Sequence, residues 1–235
     1  MPILELARKK KMSISRVEEY YNALRTNIQL SGENIRVIAV SSTFPGEGKT
    51  TTSTNLALTF AKAGHKTLLI DADIRNSKML GGVFKSDGKV TGLTEYLSGT
   101  TDLSQGLCET DEPNLFVVSS GQISPNPTAL LQSDRFATMM SVLRRHYDYI
   151  IVDTPPIGVV VDATLIAKVC DASLLVVAPK EVKRKMVQKS KTHLEQSSTP
   201  FLGVVLNKYD VQADTYGFYG SYGSYGGQLK EESNK

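Results

Sequence analysis

The sequence predicts an α/β fold, a doubly wound and mostly parallel sheet with helices on its faces, because three observations agree. Short runs rich in β-branched and other apolar residues recur along the chain of 235 residues, and longer amphipathic stretches separate them. Continuous apolar strands are typical of a parallel sheet that is buried on both faces. Polar or glycine-rich segments follow several runs, at the carboxyl ends of strands where such folds bind ligands.

The predicted strands and helices alternate in chain order. The strand segments are RVIAVSS, KTLLIDAD, NLFVVSS, YDYIIVD, SLLVVAP and FLGVVLN. The predicted helices span residues 50–63, 128–145 and 183–196. Ahead of the first strand, bulky residues at helical spacing predict a leading helix that covers the sheet edge or a partner: Val17, Tyr20, Leu24 and Ile28.

Composition and charge limit the class of protein. Hydrophobic residues make up 40% of the chain and charged residues 22%, as expected of a folded soluble protein. The net charge of +3 is too small to indicate nucleic acid as a partner. No run of about 20 apolar residues occurs, and the first residues lack the order of a secretory signal, so we expect a cytoplasmic protein. We expect a basic N-terminal arm over residues 1–15, one domain over 16–210 and a tail over 211–235.

The strongest chemical motif follows the first predicted strand, in the segment SSTFPGEGKTTTSTNLALTFAKAG. A strand, a glycine-containing turn and a helix stand in the order that a phosphate-binding loop (P-loop) requires. Glycines allow the backbone to approach the phosphates, the lysine brings a positive charge to them, and the threonine hydroxyl can ligate Mg²⁺. Thr43 stands where the strict motif has its first glycine. The predicted nucleotide-binding residues here are Pro45, Gly46, Glu47, Gly48, Lys49, Thr50 and Thr51.

Two further strands carry acidic residues to the same predicted edge. Asp71 and Asp73 follow one strand, and Asp153 ends another. Any one of these acids alone could simply cap a turn, but three beside a phosphate loop indicate a magnesium shell with Thr50 and nucleotide oxygens. Asn207, at the end of the last predicted strand, could hydrogen-bond a purine edge, although strand capping explains it nearly as well.

These motifs resemble the bacterial tyrosine kinases that regulate capsular and exopolysaccharide synthesis, especially the stand-alone cytoplasmic type of Gram-positive bacteria. The resemblance extends from about residue 15 to the tail and is carried by PGEGKT, LLIDADIR, YIIVDTPP and NPTALLQS. It implies ATP and Mg²⁺ as cofactors and a catalytic set of Lys49, Asp71, Asp73 and Arg75, with Asp71 as the proton acceptor. It also implies a metal set of Thr50, Asp73 and Asp153.

Two other classes of protein compete with a kinase. The partitioning and cell-division-site ATPases, which act as switches, have a similar phosphate loop but carry an additional lysine where Phe44 stands and a glycine where Pro45 stands. This departure disfavours a switch ATPase. A nucleotide-gated binding module without catalysis would leave Asp71 and Asp73 without a role.

The tail segment TYGFYGSYGSYGG has no apolar face at helical or strand spacing. With a nucleotide site attached, it is interpreted as the substrate, because glycine after each tyrosine lets an extended segment present each ring in turn. A phenol has a pKa near ~10, so its attack on a phosphoryl group benefits from a base. The predicted phosphate acceptors are Tyr216, Tyr219, Tyr222 and Tyr225.

The resemblance also implies partners. The tail would be phosphorylated in trans within a ring-like homo-oligomer, and a cognate phosphotyrosine phosphatase would reset it. A membrane adaptor of the polysaccharide co-polymerase type would activate the kinase through its cytoplasmic tail and hold it at the inner face of the cell membrane. The family's interface motif is E-x-x-R-x-x-R; Glu19 and Arg25 match it, whereas Asn22 replaces the middle arginine.

Overall fold

The computed structural model describes residues 2–7, 17–86, 88, 90–179 and 181–209. These residues form one sheet of nine strands. The strands are β1 Ile3–Leu6, β2 Val37–Ser42, β3 Thr67–Asp71, β4 Phe84–Lys85, β5 Leu107–Thr110, β6 Leu115–Val118, β7 Tyr149–Asp153, β8 Ala172–Val177 and β9 Phe201–Leu206. The helices are α1 Glu18–Leu30, α2 Lys49–Lys62, α3 Met79–Gly82, α4 Leu93–Leu97, α5 Leu103–Gly106, α6 Pro127–Leu131, α7 Asp134–Leu143, α8 Asp162–Ala167 and α9 Arg184–Glu195.

The six strands that the sequence predicts form the parallel part of the sheet, in the order β6-β3-β7-β2-β8-β9. The α/β fold and the mostly parallel sheet are therefore confirmed. In the sheet, β7 and β3 lie on one side of β2, whereas β8 and β9 lie on its other side. The strand order thus changes direction beside β2, where doubly wound sheets bind ligands at the carboxyl ends of the strands.

Three short strands that the sequence does not predict extend one edge of the sheet. β5 runs antiparallel to β6, β1 pairs parallel with β5, and β4 pairs antiparallel with β1. β1 lies within the segment that we assigned to a basic arm, so part of residues 1–15 joins the sheet. Leu4 and Leu6 are buried in the core, which explains why this short strand forms.

Two predicted helices differ in detail from the structure. The stretch predicted as one helix over residues 128–145 contains two helices, α6 and α7, on either side of Gln132 and Ser133. The leading helix forms, but it packs against the core through Tyr21, Leu24 and Ile28. Tyr20, which the spacing placed on the packed face, is 61% exposed.

The core lies in layers on the two faces of the sheet. One cluster contains side chains of α1 and α2, such as Ile28 and Phe60, together with strand residues. Another cluster contains side chains of α7 and α8, such as Phe136 and Ile166. Because successive strand residues point to opposite faces, both layers hold the parallel strands rigidly and fix the loops at their carboxyl ends.

The predicted phosphate acceptors of the tail lie outside the described residues. Within the described part of the chain, no helix combines the length and the apolar character needed to cross a membrane.

Candidate active site

The loop between β2 and α2 has the backbone of a phosphate cradle. Gly46 and Gly48 have φ values of 89° and 94°, a region that side-chain-bearing residues rarely adopt. At Gly48 a Cβ atom would lie 1.9 Å from Nδ2 of Asn207, so a side chain there would displace Asn207 as well as strain the backbone. That Asn207 nitrogen donates a hydrogen bond to the Glu47 carbonyl oxygen at 2.8 Å. Asn207 therefore contacts the loop itself, and its predicted contact with a purine stays a prediction.

The start of α2 supplies unsatisfied donors beside this loop. One backbone bond of its first turn runs from the Thr52 N–H to the Gly48 carbonyl at 2.9 Å. The N–H groups of Lys49 and Thr50 precede that bond and have no partner within the helix, because the first turn of any helix leaves such donors. Together with the positive end of a helix of 14 residues, they fit an anionic phosphate.

Glu47 belongs to the predicted nucleotide-binding set, but its side chain holds the loop together. The carboxylate is buried and accepts hydrogen bonds from the Phe44 N–H at 2.7 Å and from the Ala178 N–H at 3.3 Å. These bonds join the loop to the end of β8. Only the backbone of Glu47 is thus left to serve a nucleotide.

A cavity of about 420 Å³ opens at the loop. Most of the predicted loop residues line it, together with Asp73 and Arg75. The lining also contains apolar residues of the segment after β7, which the sequence did not assign to the site: Pro155, Pro156, Val159 and Val160. That segment is held against the loop, since the Gly158 N–H donates to the Thr43 carbonyl at 3.1 Å.

Lys49 lines the cavity and lies among the acidic residues. Its Nζ is 3.0 Å from Oδ2 of Asp73 and 3.9 Å from Oδ2 of Asp153. Burial by itself lowers the pKa of Lys49, but the carboxylates of Asp153, Asp73 and Asp71 outweigh burial, so the pKa lies above its ordinary value. The lysine is therefore fully charged near neutral pH, as a phosphate-binding cation must be.

Asp71 and Asp153 end neighbouring strands in register, so their carboxylates lie close together. Both residues are buried. Burial, and then the charge of Asp153, raise the pKa of Asp71 to about 7 in spite of a hydrogen bond from Ser77 Oγ. Burial likewise raises the pKa of Asp153, although Lys49 counteracts it. The predicted convergence of acids at one edge is thus present, but Asp73 rather than Asp71 lines the cavity.

The residues available for a divalent cation match the ligands that Mg²⁺ prefers. Thr50 lines the cavity, and the Asp153 carboxylate accepts hydrogen bonds from the side chains of Thr50 and Ser53. Among the described residues, no group of three or more His, Cys, Asp or Glu side chains forms a metal site by itself. The oxygen donors present suit an ion that also takes phosphate and water as ligands.

The three residues of the predicted interface lie on α1. Glu19 is exposed, and Arg25 donates a hydrogen bond to Gln29 Oε1 at 2.9 Å on the same helix. Asn22 accepts a hydrogen bond from Thr26 Oγ1 through its backbone carbonyl. Their role between subunits stays a prediction.

Comparison with known proteins connects this site to a family. The family model described as an AAA domain matches residues 35–195. The tyrosine-protein kinase CpsD of Streptococcus pneumoniae serotype 4 is 62% identical over 217 residues, which cover 92% of this chain and 95% of that protein. The kinase domain of the Escherichia coli tyrosine kinase ETK has a TM-score of 0.77 at 33% identity, covering 85% of this chain and 80% of that one.

The chain belongs to the bacterial tyrosine kinases. The septum site-determining protein MinD of Pyrococcus horikoshii, in complex with Mg-ADP, has a TM-score of 0.63 at 24% identity, covering 74% of this chain and 71% of that one. That likeness is one of fold alone. The resemblance stated from the motifs is confirmed, and the chain is a protein-tyrosine kinase with a nucleotide-binding P-loop fold.

Proposed function

We propose that this bacterial tyrosine kinase transfers the γ-phosphoryl group of ATP to its own tail tyrosines, Tyr216, Tyr219, Tyr222 and Tyr225. The observation that carries the proposal is the cavity itself, whose lining combines the start of α2, Lys49 and Asp73 with apolar residues of the segment after β7. The charged residues suit the triphosphate, and the apolar residues suit an aromatic ring. The tyrosine and glycine repeat supplies such rings within the same chain.

The reaction assigns a role to each polar group. The loop N–H groups and Lys49 bind the phosphates and stabilise the charge that develops during transfer. A bond forms between the tyrosine oxygen and the γ-phosphorus, the bond to the bridging oxygen of ADP breaks, and the phenol proton passes to Asp71. Thr50, Asp73 and Asp153 would hold Mg²⁺, which when bound neutralises phosphate charge.

Asp71 and Asp73 have different neighbours, which supports different roles for them. Asp73 is bound by Lys49 at 3.0 Å and accepts a hydrogen bond from the Asn76 N–H at 3.1 Å. Asp71 is bound by Ser77 Oγ and by the Asp73 N–H at 3.3 Å. We assign the metal to Asp73, which lines the cavity. Asp71 does not line the cavity, and we keep it as the proton acceptor because its pKa, raised to about 7, suits a base near neutral pH that is reached through one water.

The setting in the cell follows from the family and is part of the same proposal. The kinase acts in the cytoplasm at the inner face of the membrane, in capsular polysaccharide synthesis and export. A membrane adaptor activates it through a cytoplasmic tail, phosphorylation proceeds in trans within a homo-oligomer, and a phosphatase reverses it. The exposure of Glu19 on α1 supports an accessible interface there.

One experiment tests the reaction and its site together. The purified full chain is incubated with ATP and Mg²⁺, with and without the adaptor's cytoplasmic tail, and phosphotyrosine is located by mass spectrometry. We expect phosphate on the four tail tyrosines. ATP turnover without any phosphotyrosine would contradict the proposal and favour a switch ATPase, and phosphate outside residues 216–225 would contradict the choice of substrate.

A further inference from the structure

A buried carboxylate fixes the side chain of Arg75. The Arg75 Nε and Nη2 groups both donate to Asp162, with Nη2 3.1 Å from Oδ1. Nη2 also donates to Thr128 Oγ1 at 2.8 Å, and Thr128 Oγ1 donates in turn to Asp162 Oδ1 at 3.0 Å. Asp162 is completely buried, and removing its cationic partner would leave an unpaired charge in the interior.

The three residues come from separate parts of the fold. Arg75 follows β3, Thr128 lies in α6, and Asp162 is the first residue of α8. The side chain of Arg75 is 35% exposed and lines the cavity with Lys49 and Asp73. Among the hydrogen bonds of the described residues, Nη1 of Arg75 makes none. Nε and Nη2 are therefore held by Asp162 and Thr128, whereas Nη1 is available to bind a further acceptor.

We propose that Asp162 and Thr128 are positioning residues, which hold the Arg75 guanidinium at the cavity wall so that it contacts the phosphoryl group during transfer. This inference rests on the proposed function. Guanidinium groups bind phosphate oxygens through a rigid planar set of N–H donors. A cation fixed before the reaction stabilises developing charge without the cost of reorganising during the reaction. Lys78, which also lines the cavity, has no such anchor among the described contacts.

A purely structural role for the network would have different consequences. Asp162 and Thr128 also connect α6 to α8, and that connection alone could stabilise the fold. A structural connection would act on the stability of the protein and would not depend on Arg75 being present. A positioning role acts through Arg75, so its effect on the rate must disappear once Arg75 is removed.

The test uses the full chain with matched variants. Thr128→Val removes the hydroxyl and keeps the shape, Thr128→Ser restores the hydroxyl, and Arg75→Ala removes the positioned group. Thr164→Val is the control. Thr164 lies in α8, and its Oγ1 donates to the His193 carbonyl oxygen at 3.2 Å. Thr164 is not among the residues that line the cavity. For each variant we measure kcat and KM for tail phosphorylation at saturating ATP and Mg²⁺, the affinity for ADP, and the melting temperature.

We expect Thr128→Val to lower kcat about tenfold, the effect of losing one hydrogen bond to a charged group, while the affinity for ADP changes little. Thr128→Ser should restore kcat, Thr164→Val should leave it unchanged, and Thr128→Val should cause no further loss in an Arg75→Ala background. An unchanged kcat in Thr128→Val, or an equal loss with and without Arg75, would overturn the inference. If the unmodified chain forms no phosphotyrosine at all, the proposed function fails instead.

Discussion

Nζ of Lys49 and Oδ2 of Asp73 form an ion pair of 3.0 Å, and both residues line the cavity. The lysine expected to contact phosphate is therefore bound to the carboxylate expected to contact magnesium. A nucleotide with its cation would give each group a new partner of opposite charge, so both change partners in the same event. The ion pair thus keeps two charges compensated in a site where neither is well solvated.

The first prediction concerns the loop lysine. Lys49→Met should lower tyrosine phosphorylation at least about a hundredfold, because it removes a charge that stabilises the transferring group. The fold should persist, since the side chain contacts carboxylates of the site rather than the apolar core. Lys62→Met, at the other end of the same helix in an exposed pair with Glu18, is the matched control and should retain activity. Half of the normal activity in Lys49→Met would contradict the assignment.

The second prediction concerns Gly48. Gly48→Ala should weaken nucleotide binding by more than about tenfold, since it adds both backbone strain and a collision with Asn207. Gly64→Ala is a matched control, because Gly64 has a similar φ of 89° but no atom within 4 Å of the added Cβ. That control should lose about 1–2 kcal/mol of stability without losing nucleotide affinity. Equal nucleotide affinities in the two variants, measured by titration of labelled ADP, would contradict the role of the close contact.

The sequence predicts the parallel strands and the phosphate loop well, because both depend on local patterns. The run of apolar residues that ends at Asp153 is long enough to identify β7, and the glycines around Lys49 identify the loop. β1 could not be predicted, because Ile3–Leu6 is short and forms only when β4 and β5 lie beside it.

The positions of the acidic side chains in the site could likewise be predicted from the sequence only in part. Sequence order places Asp71 and Asp153 at strand ends, and the register confirms that they are neighbours. Sequence order could not reveal that Asp73 rather than Asp71 lines the cavity, because this depends on how the chain turns after β3. Asp162 was missed as well, because its partner Arg75 lies 87 positions away in the sequence.

The third prediction separates a proton acceptor from a metal ligand. Asp71→Asn should slow phosphoryl transfer by about 10² to 10⁴-fold, because it removes the group that takes the phenol proton. The affinity for ADP with Mg²⁺ should change far less, since a base acts mainly in the reaction step. Asp73→Asn serves as the comparison and should weaken binding of the metal-bound nucleotide. Lost nucleotide affinity with an unchanged rate in Asp71→Asn would assign Asp71 to the metal instead.

The fourth prediction concerns the pH dependence of stability without nucleotide or metal. Burial raises the pKa of Asp71 from 3.8 to about 7, so the folded protein holds this proton more tightly than the unfolded chain does. This contribution to stability is complete below pH 4 and is lost as the pH rises through about 7. The free energy of unfolding should therefore fall between pH 5 and 8, and it should fall less in Asp71→Asn. Asp134→Asn, at an exposed carboxylate, is the control. Parallel profiles for all three proteins in urea titrations with EDTA would contradict the prediction.

The last prediction concerns what phosphorylation does to assembly. Each phosphotyrosine adds a charge of about −1.5 to −2, so four of them add about −6 to −8 and reverse the net charge of +3. A strongly anionic tail should bind less well at a cavity that Asp73 lines, and neighbouring tails should repel one another. We therefore expect the phosphorylated protein to dissociate from its oligomer more readily than the unmodified one.

Sedimentation in the presence of the adaptor's cytoplasmic tail measures this difference. The fully phosphorylated protein is compared with a variant in which Tyr216, Tyr219, Tyr222 and Tyr225 are replaced by Phe, which keeps the rings and cannot accept phosphate. The variant should form the larger species, and the difference should shrink as salt is raised, because exposed charges are screened beyond about 10 Å at 0.1 M salt. Equal assembly at low salt, where repulsion is least screened, would refute release by charge and leave the tail as a substrate without a role in disassembly.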